Sequence, residues 1–226
     1  MKIISPSWEF EGEVNKVDSI QILRNIERFG RTCYRSESNI TEDSAKKFVK
    51  MLIDKGHESV LEHEKITVRV ICDRGVSHEI VRHRIASYSQ ESTRYCNYGH
   101  EGEITVILPL WFIGAHERHA SNAGHPDPDD LELQQYKCWR YACEVAERIY
   151  MELLKSGQTP QQARSVLPNS LKTEIVITFN LREWRHFFKL RTSQAAHPQM
   201  REITVPMLKE FQLIVPVVFE GLEASR

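Results

Sequence analysis

The stretch EKITVRVICDRGVSHEIVRHRI, residues 64–85, changes its apolar period half-way along. In the first half, apolar side chains occupy alternate positions, which is the two-residue period of a strand: Ile66, Val68, Val70 and Cys72. In the second half they recur at helical spacing: Val76, Ile80, Val81 and Ile85. The stretch therefore predicts a strand that leads directly into a helix.

Further helices are predicted on both sides of this stretch. Asp18 or Ser19 can cap a helix that ends at Gly30, because glycine is common just beyond a helix end. The longest helix covers about 130–156, and its apolar stripe needs another helix or a subunit to cover it. The other predicted elements are a helix over 41–55, a short helix capped by Thr159, a strand over 173–180, a helix over 181–191 that starts at Asn180 with Glu183, and a helix over about 202–215.

Residues 98–130 hold one short apolar run, ITVILPLWF, and then a polar stretch rich in turn formers. We interpret this segment as a strand followed by a surface excursion. The chain has no internal repeat and no linker-like composition, so residues 1–226 are predicted to form a single domain. The order of elements favours an α+β fold in which a small mixed or antiparallel sheet is flanked by long helices.

Composition limits the classes of function. With 30 Lys+Arg against 31 Asp+Glu, the chain lacks the global positive field of a non-specific polyanion binder. The N-terminus MKIISPSWEF does not resemble a signal peptide, and no stretch approaches the ~18 apolar residues that cross a bilayer. The five cysteines contain no C-x-x-C pair. We expect a soluble, cytoplasmic protein with reduced thiols.

The segment RHRIASYSQESTRY, residues 82–95, places two arginines around a histidine and follows them with hydroxyls. Consecutive helical residues point about 100° apart, so these three side chains cannot all face one phosphate. They would either contact different parts of one large anionic ligand or lie where two ligands or two subunits come together. A solvated helix end with surface hydroxyls explains the same residues. The chain contains no G-x-G-x-x-G, P-loop or G-x-S-x-G motif, so side chains would have to hold any nucleotide.

This segment resembles the signature R-H-R-x-x-S-x-x-x-x-S-x-R of the flavin-dependent thymidylate synthases, through Arg82, His83, Arg84, Ser87, Ser92 and Arg94. The resemblance continues in GHESVLEHEKITVRV, QARSVLP, TEIVITFN and LREWRHFFKLRTS. It implies an enzyme that methylates dUMP to dTMP without a cysteine nucleophile, with methylenetetrahydrofolate as carbon donor and NADPH as reductant through FAD. It also implies a homotetramer with shared active sites and no nucleic-acid or membrane partner.

The resemblance also assigns site residues. To FAD it assigns Ser36, His63, Arg82, His83, Arg84, Ile85, Asn180, Arg182, His186, Leu190 and Arg191. To dUMP it assigns Arg82, Gln90, Ser92, Thr93 and Arg94 of one subunit, with Arg164 and Arg191 contributed by others. The catalytic assignments are Arg191, Ser92 and His63. An arginine beside a uracil carbonyl can stabilise negative charge on the ring, and we give that role to Arg191.

Several positions depart from the family pattern or allow another interpretation. Some relatives carry glutamate at the position of Gln90, many carry it near Gln161, and others carry asparagine at the position of His186. The longer spacing from Arg191 to His197 makes His197 a weak candidate for a flavin or folate contact. Two sets of histidines could suggest a zinc site: His57 with His63, and His116 with His119 and His125. Neither set has the spacing of a recognised zinc motif, so we predict no metal site. The alternative function is an RNA or single-strand binding module, with Tyr88, Tyr95 and Tyr98 stacking on bases.

Overall fold

The computed structural model describes residues 1–12, 19–121 and 130–223. Asp18 and His125 therefore lie outside the described residues. The strands are β1 Lys2–Ile4, β2 Ser7–Phe10, β3 Lys65–Asp73, β4 Ala86–Gln90, β5 Thr105–Ile107 and β6 Lys172–Asn180. The helices are α1 Ser19–Tyr34, α2 Ser44–Asp54, α3 Arg74–Ile80, α4 Ile113–Ser121, α5 Leu131–Lys155, α6 Pro160–Ala163, α7 Leu181–Arg191, α8 Pro198–Ile214 and α9 Pro216–Phe219. Short 3-10 helices cover Glu37–Asn39, Glu58–His63, Leu110–Phe112 and Arg164–Val166.

The strands form two small sheets. The larger has the order β2-β3-β6-β4, and the smaller pairs β1 with β5 in parallel. β3 and β6 run antiparallel, since Leu181 N donates to Glu64 O at one end of the pair and Arg74 N donates to Asn169 O at the other. The mixture of small sheets and many helices confirms the predicted class, although two separate sheets were not predicted. No helix in the described part of the chain is long and apolar enough to cross a membrane.

The chain forms two compact units, each built from three separate segments. The first consists of Met1–Ser7, Ile71–Ile80 and Gln90–Ile175, and the second of Trp8–Val70, Val81–Ser89 and Val176–Arg226. The chain passes repeatedly from one unit to the other, so no single cut separates them. The single domain of residues 1–226 stays a prediction.

Each unit has its own apolar core. In the first, Tyr98, Ile104, Val106, Tyr150 and Leu171 are buried together. In the second, aromatic rings pack against one another at centroid distances of 4.6–6.0 Å: Phe179, Trp184, Phe187, Phe188, Phe211 and Phe219. These rings hold α7 against α8 and β6, and α7 carries much of the candidate site.

Helix α1 does not end at Gly30, as the sequence predicted, but continues to Tyr34. The residue with the left-handed conformation beyond the helix is Arg35, with φ 46°. Gly30 instead lies where α1 packs on α2, since an added Cβ would approach Cε1 of Phe48 to 2.7 Å. The glycine therefore permits a close helix contact rather than a turn.

Three other helices differ from prediction. The polar segment expected to be an excursion contains α4, whose Ala115 is buried with Leu133 and Tyr136 of α5. The buried face of α5 is Leu133, Tyr136, Cys143 and Tyr150. The apolar stripe of the helix predicted over 130–156 is only partly covered, and its residues are Trp139, Ala142, Ala146, Ile149 and Leu153. α8 begins at Pro198 and contains Pro206 in its interior.

Candidate functional site

Helix α3 ends at Ile80, and Arg82, His83 and Arg84 follow it in the connection to β4. The side chains therefore do not share a helical face. Arg82 and Arg84 are exposed, whereas His83 is buried. Ile85, which comes next, is 66% exposed although it is apolar. This connection thus presents two guanidinium groups and an apolar side chain to solvent.

In the second unit, a cavity of about 400 Å³ lies beside this connection and the start of α7. Four residues that the sequence assigned to a flavin line it together: Ile85, Asn180, Arg182 and His186. The other lining residues are Glu58, Glu62, Glu183 and Lys189. Leu190, also assigned to the flavin, is 49% exposed on the same helix. We call this the α7 cavity.

The sequence explains why α7 presents these side chains. β6 ends at Asn180, whose side chain accepts a hydrogen bond from Glu183 N over 2.8 Å and so caps the helix. Trp184, Phe187 and Phe188 then face the core, which leaves positions 182, 186 and 190 exposed. The 3-10 helix Glu58–His63, whose Glu58 and Glu62 also line the cavity, is tied to α7 by the pairs Arg182–Glu62 and Arg185–Glu58.

His63 lies at the end of that 3-10 helix and is exposed. Its ring is 4.8 Å from the ring of Phe29, which supports its orientation. Ser36 follows Arg35 after the end of α1 and is partly exposed. Both residues belong to the second unit, as the α7 cavity does.

His83 has a different environment from its neighbours in the motif. Its Nδ1 is 2.8 Å from Glu183 Oε1, and its Nε2 accepts from Arg191 Nε over 3.1 Å. Burial lowers the pKa of His83, and the hydrogen bond to Glu183 opposes this only in part. The imidazole is therefore neutral, and no polar ring atom is left for a cofactor. His83 lies behind the site, while Arg84 and Ile85 face solvent.

The ligand atoms of His83, Glu183 and His186 lie within 4.8 Å of one another, as in a metal site. However, both ring nitrogens of His83 are already hydrogen-bonded, so it has no lone pair for an ion. In the other histidine sets, Nδ1 of His57 bonds Tyr34 Oη and Nδ1 of His116 bonds Tyr136 Oη, each at 2.8 Å.

A second cavity, of about 510 Å³, lies in the first unit. Its lining is Arg74, Thr93, Gln161, Arg164, Ser165, Leu167, Pro168, Asn169 and Leu171. The described residues that line it include two arginines and no Asp or Glu, so the cavity favours an anion. Arg164 Nη1 donates to Thr93 Oγ1 over 3.1 Å, and Arg94 Nε donates to Gln161 Oε1 over 3.3 Å. We call this the arginine cavity.

The arginine cavity changes one expectation. The sequence assigned Arg164 to a different subunit from Thr93 and Arg94, but Arg164 contacts Thr93 within one chain. A second subunit is not needed to bring these residues together.

The amide hydrogens of Gln90 are used inside the protein. Nε2 donates to Ser77 Oγ at 3.0 Å and to Thr173 Oγ1 at 3.1 Å.

Sequence reasoning gave no site role to Arg74 or Glu183. Arg74 follows β3 directly, and the available signal was a basic residue at the end of a predicted strand, shortly before the motif of residues 82–94. Glu183 was interpreted only as part of a helix start. Its contact with His83 joins residues 100 positions apart, so no local pattern could reveal it.

The buried cysteines are poor nucleophiles. Burial raises the pKa of the Cys72 thiol well above its usual range and that of Cys143 to about 11. Cys96, which follows the motif, is partly buried.

A family model described as thymidylate synthase complementing protein matches residues 17–217. The chain belongs to this family. Flavin-dependent thymidylate synthases from Pyrococcus abyssi, Pyrococcus furiosus and Mycobacterium avium are 37%, 34% and 33% identical to it over 177, 187 and 218 residues. The matches cover 77%, 82% and 88% of this chain, and 66%, 70% and 79% of those proteins. The predicted resemblance is confirmed.

The fold also has a counterpart among solved structures. A UMP/dUMP methylase, PolB from Streptomyces cacaoi bound with 5-Br dUMP, superposes with a TM-score of 0.75 at 24% identity. The match covers 100% of this chain and 98% of that one, so the two share their fold. Family membership identifies this chain as an enzyme of the methyltransferase type, as predicted. The alternative nucleic-acid-binding module has no counterpart among these relatives.

Proposed function

We propose that this protein is a flavin-dependent thymidylate synthase, which methylates dUMP to dTMP with methylenetetrahydrofolate as carbon donor and NADPH as reductant. The observation that carries the proposal is the motif of residues 82–94. It supplies exposed groups beside the α7 cavity and a guanidinium beside the arginine cavity. Family membership supports the same reaction.

The residues that line the α7 cavity fit FAD, together with Arg84 and Leu190, which are next to lining residues in the sequence. Ile85 and Leu190 offer exposed apolar surface for a ring system, and Arg84, Arg182 and His186 offer donors for a pyrophosphate and polar ring edges. When bound, the flavin would supply the redox chemistry of the reaction. The chain's own part is to hold and orient it, with Asn180 and Ser36 as further contacts.

For dUMP we propose that the arginine cavity holds the phosphate. Arg94 and Arg164 supply forked guanidinium groups, while Ser92 and Thr93 supply hydroxyls near them. Arg74, on the wall of the same cavity, adds a third positive charge. Arg82 and Gln90 remain proposed contacts to the nucleotide.

For the chemical step we propose that Arg191 stabilises the negative charge that develops on the uracil ring, which makes C5 nucleophilic. No cysteine attack is then required, and the raised pKa values of Cys72 and Cys143 support this. Exposed His63 is proposed to face the folate. We also propose a cytoplasmic homotetramer with shared sites, in which partly exposed Ile149 and Leu153 of α5 pack against another subunit.

The proposal predicts that the purified protein is yellow and releases flavin when it is denatured. With dUMP, methylenetetrahydrofolate and NADPH it should form dTMP, measured by chromatography, and omission of any one of the three should stop turnover. Colourless protein that takes up no added FAD, yet binds single-stranded RNA, would support the alternative module instead.

A second prediction concerns the phosphate contact. Arg94→Ala should weaken dUMP binding about 10- to 150-fold, because loss of a charge-assisted hydrogen bond costs ~1.5–3 kcal/mol. Flavin content should not change, because Arg94 does not line the α7 cavity. Calorimetric titration with dUMP measures the affinity.

The matched control is Arg118→Ala, which removes a guanidinium that pairs with Asp130 and Glu132 in the same unit. It should bind dUMP like the unmodified protein. Unchanged affinity in Arg94→Ala would remove Arg94 from the phosphate site.

A further inference from the structure

Three polar side chains form a continuous series of hydrogen bonds that ends at Arg191. Glu183 Oε1 lies 2.8 Å from His83 Nδ1, and Arg191 Nε donates to His83 Nε2 over 3.1 Å. The side chains of His83 and Glu183 are only 3% and 9% exposed. The rings of Phe179 and Phe187, with centroids 6.0 and 5.0 Å from that of His83, hold the imidazole in place.

The chemistry of the end groups fixes where the protons lie. A guanidinium only donates, so the His83 Nε2 that meets Arg191 must accept and carries no proton. The ring proton of neutral His83 then lies on Nδ1, where it is donated to the carboxylate of Glu183. Without Glu183 the imidazole could carry its proton on Nε2 instead. Two N–H donors, His83 Nε2–H and Arg191 Nε–H, would then face each other, and their hydrogen bond would be lost.

We propose that Glu183 is a positioning residue: it fixes the His83 tautomer and thereby the direction in which Arg191 presents its guanidinium to the substrate. The inference rests on the role proposed for Arg191. The helix start does not require the Glu183 carboxylate, because the cap is made by the Asn180 side chain and the Glu183 backbone. The carboxylate serves His83 instead.

Glu183→Leu removes the acceptor at similar volume. It should lower kcat for dTMP formation about 100-fold, because misorientation of one catalytic group costs about that much. The KM for dUMP should change less than about twofold, since the proposed phosphate contacts do not involve Glu183. Glu183→Gln keeps an oxygen that accepts from Nδ1 and should restore kcat to within about threefold of the unmodified enzyme.

The matched control is Glu27→Leu, which removes another buried carboxylate of the same unit. Glu27 is 1% exposed and pairs with Arg31 within α1. It should lower the free energy of unfolding as Glu183→Leu does, but leave kcat within about twofold. Equal losses of kcat in Glu183→Leu and Glu27→Leu, or in Glu183→Leu and Glu183→Gln, would overturn the proposal.

A second measurement reads the tautomer without turnover. Imidazole ¹⁵N NMR of flavin-loaded protein with labelled histidine identifies His83 by the signals lost in His83→Gln. We expect the proton on Nδ1 in the unmodified protein and in Glu183→Gln, and on Nε2 in Glu183→Leu. A protonated Nε2 in the unmodified protein would overturn the proposal even if Glu183→Leu does not fold. If the protein showed the expected tautomers but formed no dTMP, the proposed function would be wrong and the effect of Glu183 on the His83 tautomer would stand.

Discussion

Replacing Arg191 by lysine should lower kcat for dTMP formation about 100- to 1,000-fold, which is the usual cost of removing one donor that stabilises developing charge. Lysine keeps the positive charge but loses the planar fork and the Nε–H that donates to His83. Ground-state binding of dUMP should fall much less, because the phosphate is proposed to bind in the arginine cavity. Steady-state kinetics with dUMP as the varied substrate separates the two effects.

Arg185→Lys is the control for this change, because Arg185 lies on the same helix and its charge is also kept. Its guanidinium pairs with Glu58 and donates to the carbonyl of Val218, both structural contacts. The variant should unfold at lower temperature than the unmodified protein but keep kcat within about twofold. If Arg191→Lys lost dUMP affinity and kept kcat, Arg191 would be a binding residue and the charge-stabilising role would be wrong.

The sequence predicted the elements whose signals are local. β3 and β6 were found because alternate residues are apolar and buried, and α2 because Ala45, Phe48 and Leu52 share a buried face. The cap at Asn180 was found from the residues on either side of the helix start. Each of these signals depends on residues within one element. The burial of those residues in the fold favours the same secondary structure as the local pattern does.

The missed features depend on contacts between distant parts of the sequence. Gly30 has the residue type of a helix end, but its role comes from the ring of Phe48 on another helix. β4 was missed because its hydroxyl-rich sequence ASYSQ lacks an apolar period, and pairing with β6 makes it a strand. For the site, the motif indicated candidate residues, and their roles stay predictions. It could not reveal that His83 is buried behind its neighbours, because that depends on Glu183 and Arg191 of α7.

Mixing inactive subunits should restore activity for one pair of variants and not for another. One pool carries Arg94→Ala with Arg164→Ala, which removes two of the three guanidinium groups proposed to attract the phosphate, and the other pool carries Arg191→Ala. If each site takes Arg94 and Arg164 from one subunit and Arg191 from another, each contribution is intact in about half of the sites of a randomly reassembled 1:1 mixture. About a quarter of the sites then contain all three arginines. Turnover at a dUMP concentration near the KM of the unmodified enzyme should then rise from background to about a quarter of its normal value.

The control pair is Arg94→Ala mixed with Arg164→Ala. Arg164 contacts Thr93, the neighbour of Arg94, within one chain, so both arginines belong to the same subunit's cavity. Every cavity in that mixture lacks one of them, and no activity should be gained over the average of the two pools. Native mass spectrometry confirms that mixed tetramers have formed. Recovery in the control pair would show that Arg164 serves another subunit's nucleotide, whereas failure of the first pair would show that Arg191 and the arginine cavity complete each site within one chain.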